Sequence, residues 1–232
     1  FHVVLSSASS KTQYAHGMNT IPSQTVCYPA KLSHGHVMEL INKGVRRIFY
    51  PCIAFERQEF ITQHNRYNCP VVGGYPELLK NNVEKLREQG VSLICPFLPL
   101  EFNALADSLL QLDIFKNIPR WELEQALGEA FREKKKFKED LKKKGEEVLA
   151  WLKENDRMGI ILAGHPYHVD PEVHHGIPDL VTASGLAVLS DKGILIGFLD
   201  LSVGGVFGVV RVGLLRGAGF LCGTLGLLAS LA

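Results

Sequence analysis

Three cysteines share a local sequence setting that could support metal chemistry. Cys27 lies in TVCYPAK, Cys52 in FYPCI and Cys69 in YNCPVV, so each is within two residues of a proline and near the end of a predicted strand. Zinc ions and iron–sulfur clusters prefer thiolate ligands, so three converging cysteine loops would suit either. The spacings of 24 and 16 intervening residues match no short ligand motif, however, and buried apolar cysteines are the alternative. Cys95, inside LICPFL, is predicted to be such a core cysteine.

A second candidate site is the stretch HPYHVDPEVHHG, residues 165–176, which follows the buried-strand pattern MGIILAG. It contains four of the nine histidines, and imidazoles and carboxylates are ordinary ligands of zinc or non-heme iron. Its prolines bend the chain, however, and it has no helical pair of histidines four residues apart. We therefore predict a substrate- or partner-binding loop that lines a cleft opposite the cysteine loops. The residues assigned to this role are His165, Tyr167, His168, Asp170 and Glu172.

Two residues near Cys27 complete the candidate binding set. Lys31 follows Cys27 by four residues and could hold an anionic ligand or neutralise a negatively charged cluster, and a solvated helix lysine is the alternative. His34 and His36 are two residues apart, which places them on different sides of a helix and disfavours a shared metal. We expect His36 to pack or cap near the cysteine loop.

Short apolar runs alternate with amphipathic stretches between residues 2 and 98, which predicts alternating strands and helices. The apolar runs are VVLSS, RRIFYPCI, PVVGG and VSLICPFL, and the amphipathic stretches are AKLSHGHVMELINKG and YPELLKNNVEKLREQG. Gly44 and Gly90 stand where a helix would close in the left-handed conformation. This pattern predicts the α/β class, with a parallel sheet covered by helices and ligands bound beyond the carboxyl ends of the strands.

The composition divides the chain into four parts. Residues 1–118 form an α/β lobe with the cysteine loops, residues 119–157 an amphipathic connector of one long or two shorter helices, and residues 158–190 the start of a second α/β lobe. One strand, one loop and one helix cannot close a sheet, so the second lobe is expected to be incomplete. Residues 191–232 hold 10 of the 22 glycines and resemble a frameshift or truncation product more than a core element or a membrane span.

Charge and cysteine content narrow the class of protein. The 25 basic and 24 acidic side chains nearly cancel, so no global field would steer the chain to nucleic acid or an anionic membrane. Seven lysines between Lys134 and Lys144 are interleaved with acids and are expected to form a solvated helix face. Five widely spaced cysteines favour a reducing, cytoplasmic compartment over a secreted disulfide framework. The chain begins with Phe1 and reads as a piece of a longer polypeptide.

Three separated blocks together resemble the acyl-CoA dehydratase activase-related proteins, which are relatives of the 2-hydroxyglutaryl-CoA dehydratase D-component. The blocks are IPSQTVCYPAKLSHGHVMELINKGVRRIFYPCIAFE, NRYNCPVVGGYPELLKNN and LAGHPYHVDPEVHHGIPDLV, and the resemblance covers roughly residues 1 to 190. Two positions depart from the family pattern: His165 and His174 stand where an arginine and an asparagine are expected, which would alter an anion contact of the loop.

The resemblance implies Rossmann-like lobes, and a 4Fe–4S cluster bound by Cys27, Cys52 and Cys69. It also implies an ATP-dependent activase domain as the partner, fused in the longer protein, which delivers a low-potential electron to an acyl-CoA thioester in a dehydratase-type lyase reaction. Two alternatives stay open, namely a non-catalytic electron-transfer module that carries the cluster and a zinc-stabilised binding domain. The oligomeric state is also left open.

Overall fold

The computed structural model describes residues 1–57, 65–164, 169–190 and 208–211, the last of these by its backbone alone. The described residues form a mixed α/β structure with two small sheets. In chain order the elements are α1 (Lys11–Gly17), a 3-10 turn (Met18–Thr20), α2 (Tyr28–Asn42), β1 (Arg47–Phe49), α3 (Pro70–Asn82), α4 (Glu84–Glu88), β2 (Ser92–Ile94), α5 (Phe102–Leu110), α6 (Arg120–Glu154), β3 (Met158–Leu162), α7 (Ile177–Ala183), β4 (Ala187–Ser190) and β5 (Gly208–Arg211).

The first sheet consists of β1 and β2, which pair in parallel from Arg47 opposite Ser92 to Phe49 opposite Ile94. The pairing continues beyond the strands, because the Cys52 N–H donates to Pro96 O at 2.8 Å and the Leu98 N–H donates to Cys52 O at 3.1 Å. Helices α2, α3 and α4 pack their apolar faces against this pair. The resulting core contains Val37, Met38, Ile41, Ile48, Leu79, Val83, Leu86 and Leu93.

Both predicted glycine stops are confirmed. Gly44 has a φ of 77° after α2, and Gly90 has a φ of 61° before β2. A residue with a side chain is strained in this region, so glycine lets each helix end and the chain enter the sheet at once. At these two positions the chain passes from helix to strand as the apolar pattern predicts.

Two of the four apolar runs do not form strands. The run VVLSS pairs with no strand among the described residues, and its Ser7 instead donates from backbone and side chain to the carboxylate of Glu39 on α2. The run PVVGG forms the first turns of α3, because Pro70 at the start of the helix has its φ preset and needs no hydrogen-bond partner for its nitrogen. A short apolar run therefore identified a buried segment here but not its conformation.

The predicted connector is one helix of 35 residues, α6. Its first third packs on α5 through Leu123, and its last third packs on the second sheet through Leu152. The middle third projects into solvent, with Phe137 66% exposed. The lysine-rich stretch lies there and is laced with ion pairs three or four residues apart, such as those of Lys135 with Glu139 and of Lys142 with Glu146, so it is the solvated face expected from the sequence.

The second sheet has the strand order β4-β3-β5. Strand β3 pairs in parallel with β4 and antiparallel with β5. Residues Gly208–Arg211 of the glycine-rich tail thus form an edge strand, although the tail's composition predicted no element there. None of the helices among the described residues is both long enough and apolar enough to cross a membrane.

Candidate functional site

Two of the three candidate cysteines begin helices. Cys27 is the N-cap residue of α2 and Cys69 is the N-cap residue of α3, and each is followed by a proline in the first turn. Both side chains are exposed. The N-terminus of a helix presents unpaired N–H groups and favours negative charge, so both thiols stand where an anionic group is stabilised.

The third candidate, Cys52, follows β1 and is fully buried. Its Sγ lies 3.8 Å from the carbonyl oxygen of Cys95, and burial raises the pKa of its thiol. Cys95 is buried as predicted and donates from Sγ to Glu77 Oε1 at 3.0 Å. Burial and this hydrogen bond raise the pKa of Cys95 to about 12, so it stays a protonated thiol at neutral pH.

Hydrogen bonds join the segments that carry the three cysteines. The side-chain amide of Asn68 donates to Ile53 O at 3.0 Å, and its backbone N–H donates to Ala54 O at 2.9 Å. The residue before Cys69 is therefore fixed to the chain just after Cys52. Helices α2 and α3 are joined near their N-terminal halves, where His34 Nε2 and Tyr75 Oη are 2.9 Å apart.

The three cysteine thiols have suitable chemistry to bind a cluster, but their side chains are not gathered into a ligand group. Three thiols are suitable ligands for an iron–sulfur cluster or zinc. Within the part of the chain that the structure describes, no three His, Cys, Asp or Glu side chains form a group that could hold a metal ion. Ligation by Cys52 would require its thiol to leave the core and lose a proton. The convergence of the three sulfurs therefore stays a prediction.

His34 is a structural residue on the α3 side of α2. Thr20 Oγ1 donates to Gly17 O at 2.8 Å, so it must accept a hydrogen bond from His34 Nδ1–H, also at 2.8 Å. Nε2 then accepts from the hydroxyl of Tyr75. Both ring nitrogens are satisfied in a fully buried site, and burial lowers the pKa of His34 to about 4.

His36 lies on the other side of α2, as its spacing from His34 predicted. Its partner is not the cysteine loop but the N-terminal segment, residues 1–10 before α1. There, Ser9 Oγ lies 3.2 Å from His36 Nε2. Ser9 in turn donates to Asp170 Oδ2 at 2.6 Å. Burial lowers the pKa of His36 despite the opposing influence of Glu39 and Asp170, so His36 is neutral at pH 7.

Asp170 organises the described part of the histidine-rich loop. Its Oδ1 accepts the backbone N–H groups of Glu172 at 2.9 Å and Val173 at 3.0 Å, while its Oδ2 accepts from Ser9. Burial opposes its ionisation, but these hydrogen bonds outweigh burial and lower the pKa of Asp170. The carboxylate thus both shapes the loop and attaches it to the N-terminal segment.

The same loop contacts the residue that follows Cys27. Tyr28 donates from its hydroxyl to Glu172 Oε1 at 2.8 Å, and its ring stacks on His175 with 5.9 Å between centroids. Burial and the hydrogen bond to Glu172 raise the pKa of Tyr28 to about 12. Of the five loop residues predicted to bind substrate or partner, Asp170 and Glu172 thus lie against the cysteine-bearing half of the chain. The other three, His165, Tyr167 and His168, lie outside the described residues.

Lys31 lies in the first turn of α2, partly exposed, and its backbone N–H donates to Cys27 O at 3.2 Å. The structure adds Ser9 and Tyr28 to the candidate site, and both were missed in the sequence. Ser9 lies in an apolar–serine stretch with no motif. Tyr28 could have been found from its position beside Cys27, since a tyrosine next to a candidate ligand offers one polar atom on an apolar ring.

Comparison with known proteins identifies a family. The model of the CoA enzyme activase uncharacterised domain matches residues 1–194, which is most of the chain. No curated protein and no solved structure matches it. The resemblance to acyl-CoA dehydratase activase-related proteins is confirmed by this match, and the chain belongs to the CoA enzyme activase uncharacterised domain family.

Proposed function

We propose that the chain is an iron–sulfur component of the 2-hydroxyacyl-CoA dehydratase and activase system, which passes a low-potential electron toward an acyl-CoA thioester. The observations that carry this proposal are the hydrogen bonds of Asn68, next to Cys69, to Ile53 and Ala54, just after Cys52, and the contact of His34 with Tyr75 between the two helices that Cys27 and Cys69 begin. Membership in a CoA enzyme activase family supports the same system. An ATP-dependent activase domain, fused in the longer protein, would be the electron donor.

The proposed ligands are Cys27, Cys52 and Cys69. A 4Fe–4S cluster bound by them would supply one-electron transfer at low potential. Two of the thiols start helices, where the positive helix ends offset the negative charge of a thiolate-ligated cluster. Lys31, one turn into α2, would add a positive charge on the same side.

The histidine-rich loop would form the opposite wall of the site. Its Glu172 holds Tyr28, and Tyr28 is bonded in sequence to Cys27, so the loop fixes the first turn of α2. Its Asp170 is attached to His36 through Ser9. We assign these residues, with His165, Tyr167 and His168, to contact with the acyl-CoA substrate or the activase partner.

The setting of this chemistry completes the proposal. The two sheets would belong to Rossmann-like lobes joined by α6. The four cysteines within the described residues are all free, which supports a cytoplasmic location.

The test is anaerobic reconstitution of the chain with iron and sulfide, followed by metal analysis and visible and electron paramagnetic spectra. We expect about four irons and four sulfides per chain, the composition of a 4Fe–4S cluster. The variants Cys27→Ser, Cys52→Ser and Cys69→Ser should each lose most of the iron. Cys95→Ser is the matched control and should keep the iron, because the Cys95 thiol is hydrogen-bonded to Glu77 and is not a proposed ligand.

Retention of iron in all three ligand variants would overturn the cluster assignment. Binding of zinc without sulfide would instead indicate a zinc-stabilised domain. If the cluster is present, turnover of a 2-hydroxyacyl-CoA with a low-potential donor distinguishes a dehydratase from an electron-transfer module.

A further inference from the structure

The first turns of α3, which follow Cys69, have a sequence that forms a helix poorly. Gly73 and Gly74 lie there and are weak helix formers. Pro76 follows within the same helix, and it has no N–H to donate to the carbonyl of Val72 one turn earlier. The local sequence therefore fixes the direction of the turn after Cys69 only weakly, and contacts from outside the helix must hold it.

Two such contacts flank Cys69. On one side, the side chain and the backbone of Asn68 both donate to carbonyl oxygens of the segment just after Cys52. On the other side, Tyr75 is only 5% exposed, and its hydroxyl donates to His34 Nε2 on α2 at 2.9 Å. Cys69 is thus tied to the Cys52 segment at one end and to α2 at the other.

The bond between Tyr75 and His34 lies at a similar distance from the two helix starts. Both helices precede and pack on strands of one parallel pair, so they run in the same direction. Cys27 is seven residues before His34 and Cys69 is six residues before Tyr75, which at about 1.5 Å per residue is roughly 10 and 9 Å along each helix. After burial, the neighbouring Cys27 thiol is the next contributor that raises the pKa of Tyr75. The two cysteines therefore stand at nearly the same level of the helix pair.

His34 is a rigid anchor for this bond. Its Nδ1 is bonded to Thr20 Oγ1 at 2.8 Å. Helix α1 packs so closely on α2 beside it that a Cβ at Gly17 would collide with the backbone of Gly35. The single hydroxyl proton of Tyr75 is committed to His34 Nε2. A turn with a weak helical preference is thus attached to a side chain that cannot easily move.

We propose that Tyr75 and His34 are positioning residues of the candidate cluster site, and that their hydrogen bond holds the Cys69 thiol near the Cys27 thiol. The inference rests on the proposed function, because it treats these two thiols as ligands of one cluster. The positioning itself is a property of the chain without iron and can be tested there. It differs from a general contribution to stability, since it acts on the separation of two exposed thiols.

The experiment treats the full chain without iron with a short bismaleimide, which joins two thiols that lie close together. Cys27 and Cys69 are the exposed thiols among the described residues, whereas Cys52 and Cys95 are buried. Cys222→Ser, present in every sample, keeps the fifth cysteine from reacting. Mass spectrometry then gives the ratio of crosslinked chains to chains modified separately at the two exposed thiols.

Tyr75→Phe removes the hydroxyl but keeps the ring, which meets His34 edge to face with 5.5 Å between centroids. We expect the crosslinking ratio to fall about fivefold, the factor that the loss of one neutral hydrogen bond gives in a two-state ratio. Adding Tyr75→Phe to His34→Gln should lower the ratio no further, because both changes remove the same bond. An unchanged ratio in Tyr75→Phe, or the absence of a crosslink between Cys27 and Cys69 in the parent chain, would overturn the proposal.

Two controls separate positioning from a general loss of stability. Tyr67→Phe makes the same change two residues before Cys69, where the tyrosine is 70% exposed, and it should leave the crosslinking ratio unchanged. Ile41→Val trims the core that α2 and α3 share, so it should lower the denaturant midpoint of unfolding about as much as Tyr75→Phe but should not change the ratio. An equal fall of the ratio in Ile41→Val would show that Tyr75 acts only through stability, against the proposal.

Reconstitution with iron and sulfide distinguishes this inference from the cluster proposal. Tyr75→Phe should lose iron to a chelator about fivefold faster than the parent chain, and the two controls should not. A parent chain that crosslinks but binds no iron would refute the cluster and support the positioning. A parent chain that binds iron, with the crosslinking ratio and the iron loss both unchanged in Tyr75→Phe, would refute the positioning and leave the cluster.

Discussion

The two sides of α2 carry histidines two residues apart that are used in opposite ways. On the α3 side, His34 donates from Nδ1 to Thr20 and accepts at Nε2 from Tyr75, so the ring is complete within the fold. On the side of the N-terminal segment, His36 donates from Nε2 to Ser9, and its Nδ1 has no hydrogen-bond partner among the described residues. A fully paired buried group stabilises one structure, whereas an unpaired buried acceptor lowers stability.

The largest expected effect comes from the residue between the two histidines. A Cβ at Gly35 would lie 1.7 Å from the backbone oxygen of Gln13, so Gly35→Ala must separate α1 from α2. We expect a loss of about 3 kcal/mol or more in the free energy of unfolding, measured by denaturant titration. Gly74→Ala is the matched control, because a Cβ there meets nothing within 4 Å; it should stabilise α3 by up to about 1 kcal/mol. Equal effects of the two variants would contradict this contact.

The second prediction concerns the pH dependence of stability that His34, on the α3 side of α2, should produce. The pKa of His34 is lowered from 6.5 to about 4 in the folded chain. Between these pH values the unfolded chain therefore binds a proton at His34, whereas the folded chain does not. Stability should therefore fall as pH decreases from 6.5 to about 4, by at most about 1.4 kcal/mol per pH unit from this group. His34→Gln should be less stable at pH 7 and should lose this part of the pH dependence. A variant with the same slope as the unmodified chain would show that other groups titrate.

The two histidines also show which features of the structure could be predicted from the sequence. The spacing of His34 and His36 was enough to place them on opposite faces, because helical periodicity is local. Burial of Cys95 within an apolar run and the helix stops at Gly44 and Gly90 were also predicted, because these signals lie in the local sequence as well.

Contacts between residues far apart in the sequence could not be predicted from local patterns. The contact of Ser9 with Asp170 spans 161 residues, and neither residue carries a motif that names the other. PVVGG was misassigned because a five-residue apolar run fits a buried strand and a helix start equally well until Pro70 is placed at N1. The three cysteines have compatible chemistry, but their relative positions depend on packing that periodicity does not encode.

The third prediction concerns the contact of Ser9 with Asp170, on the His36 side of α2. Ser9→Ala removes the hydrogen bond from Ser9 that helps to lower the pKa of Asp170, so this pKa should rise toward its usual value of 3.8. The loss of a hydrogen bond to a carboxylate should cost about 1.5 kcal/mol. Carboxyl ¹³C NMR titration measures the first effect and denaturant unfolding the second. Ser6→Ala is the control, because Ser6 lies in the same segment but is not among the groups that lower the pKa of Asp170; it should leave the Asp170 titration unchanged. An unaltered Asp170 titration in Ser9→Ala would exclude the contact.

The smallest effect is expected where the loop meets the start of α2. Tyr28→Phe keeps the ring that stacks on His175 but removes the hydroxyl that donates to Glu172. Because this contact is partly exposed, we expect a loss of only about 1 kcal/mol, concentrated in faster amide hydrogen exchange across residues 170–176 rather than in global unfolding. Tyr14→Phe is the control, since Tyr14 packs its ring on Tyr28 at 5.5 Å but does not reach the loop through the Glu172 bond. Similar exchange in both variants would mean that ring packing alone holds the loop, and the loop could then move without disturbing the residue beside Cys27.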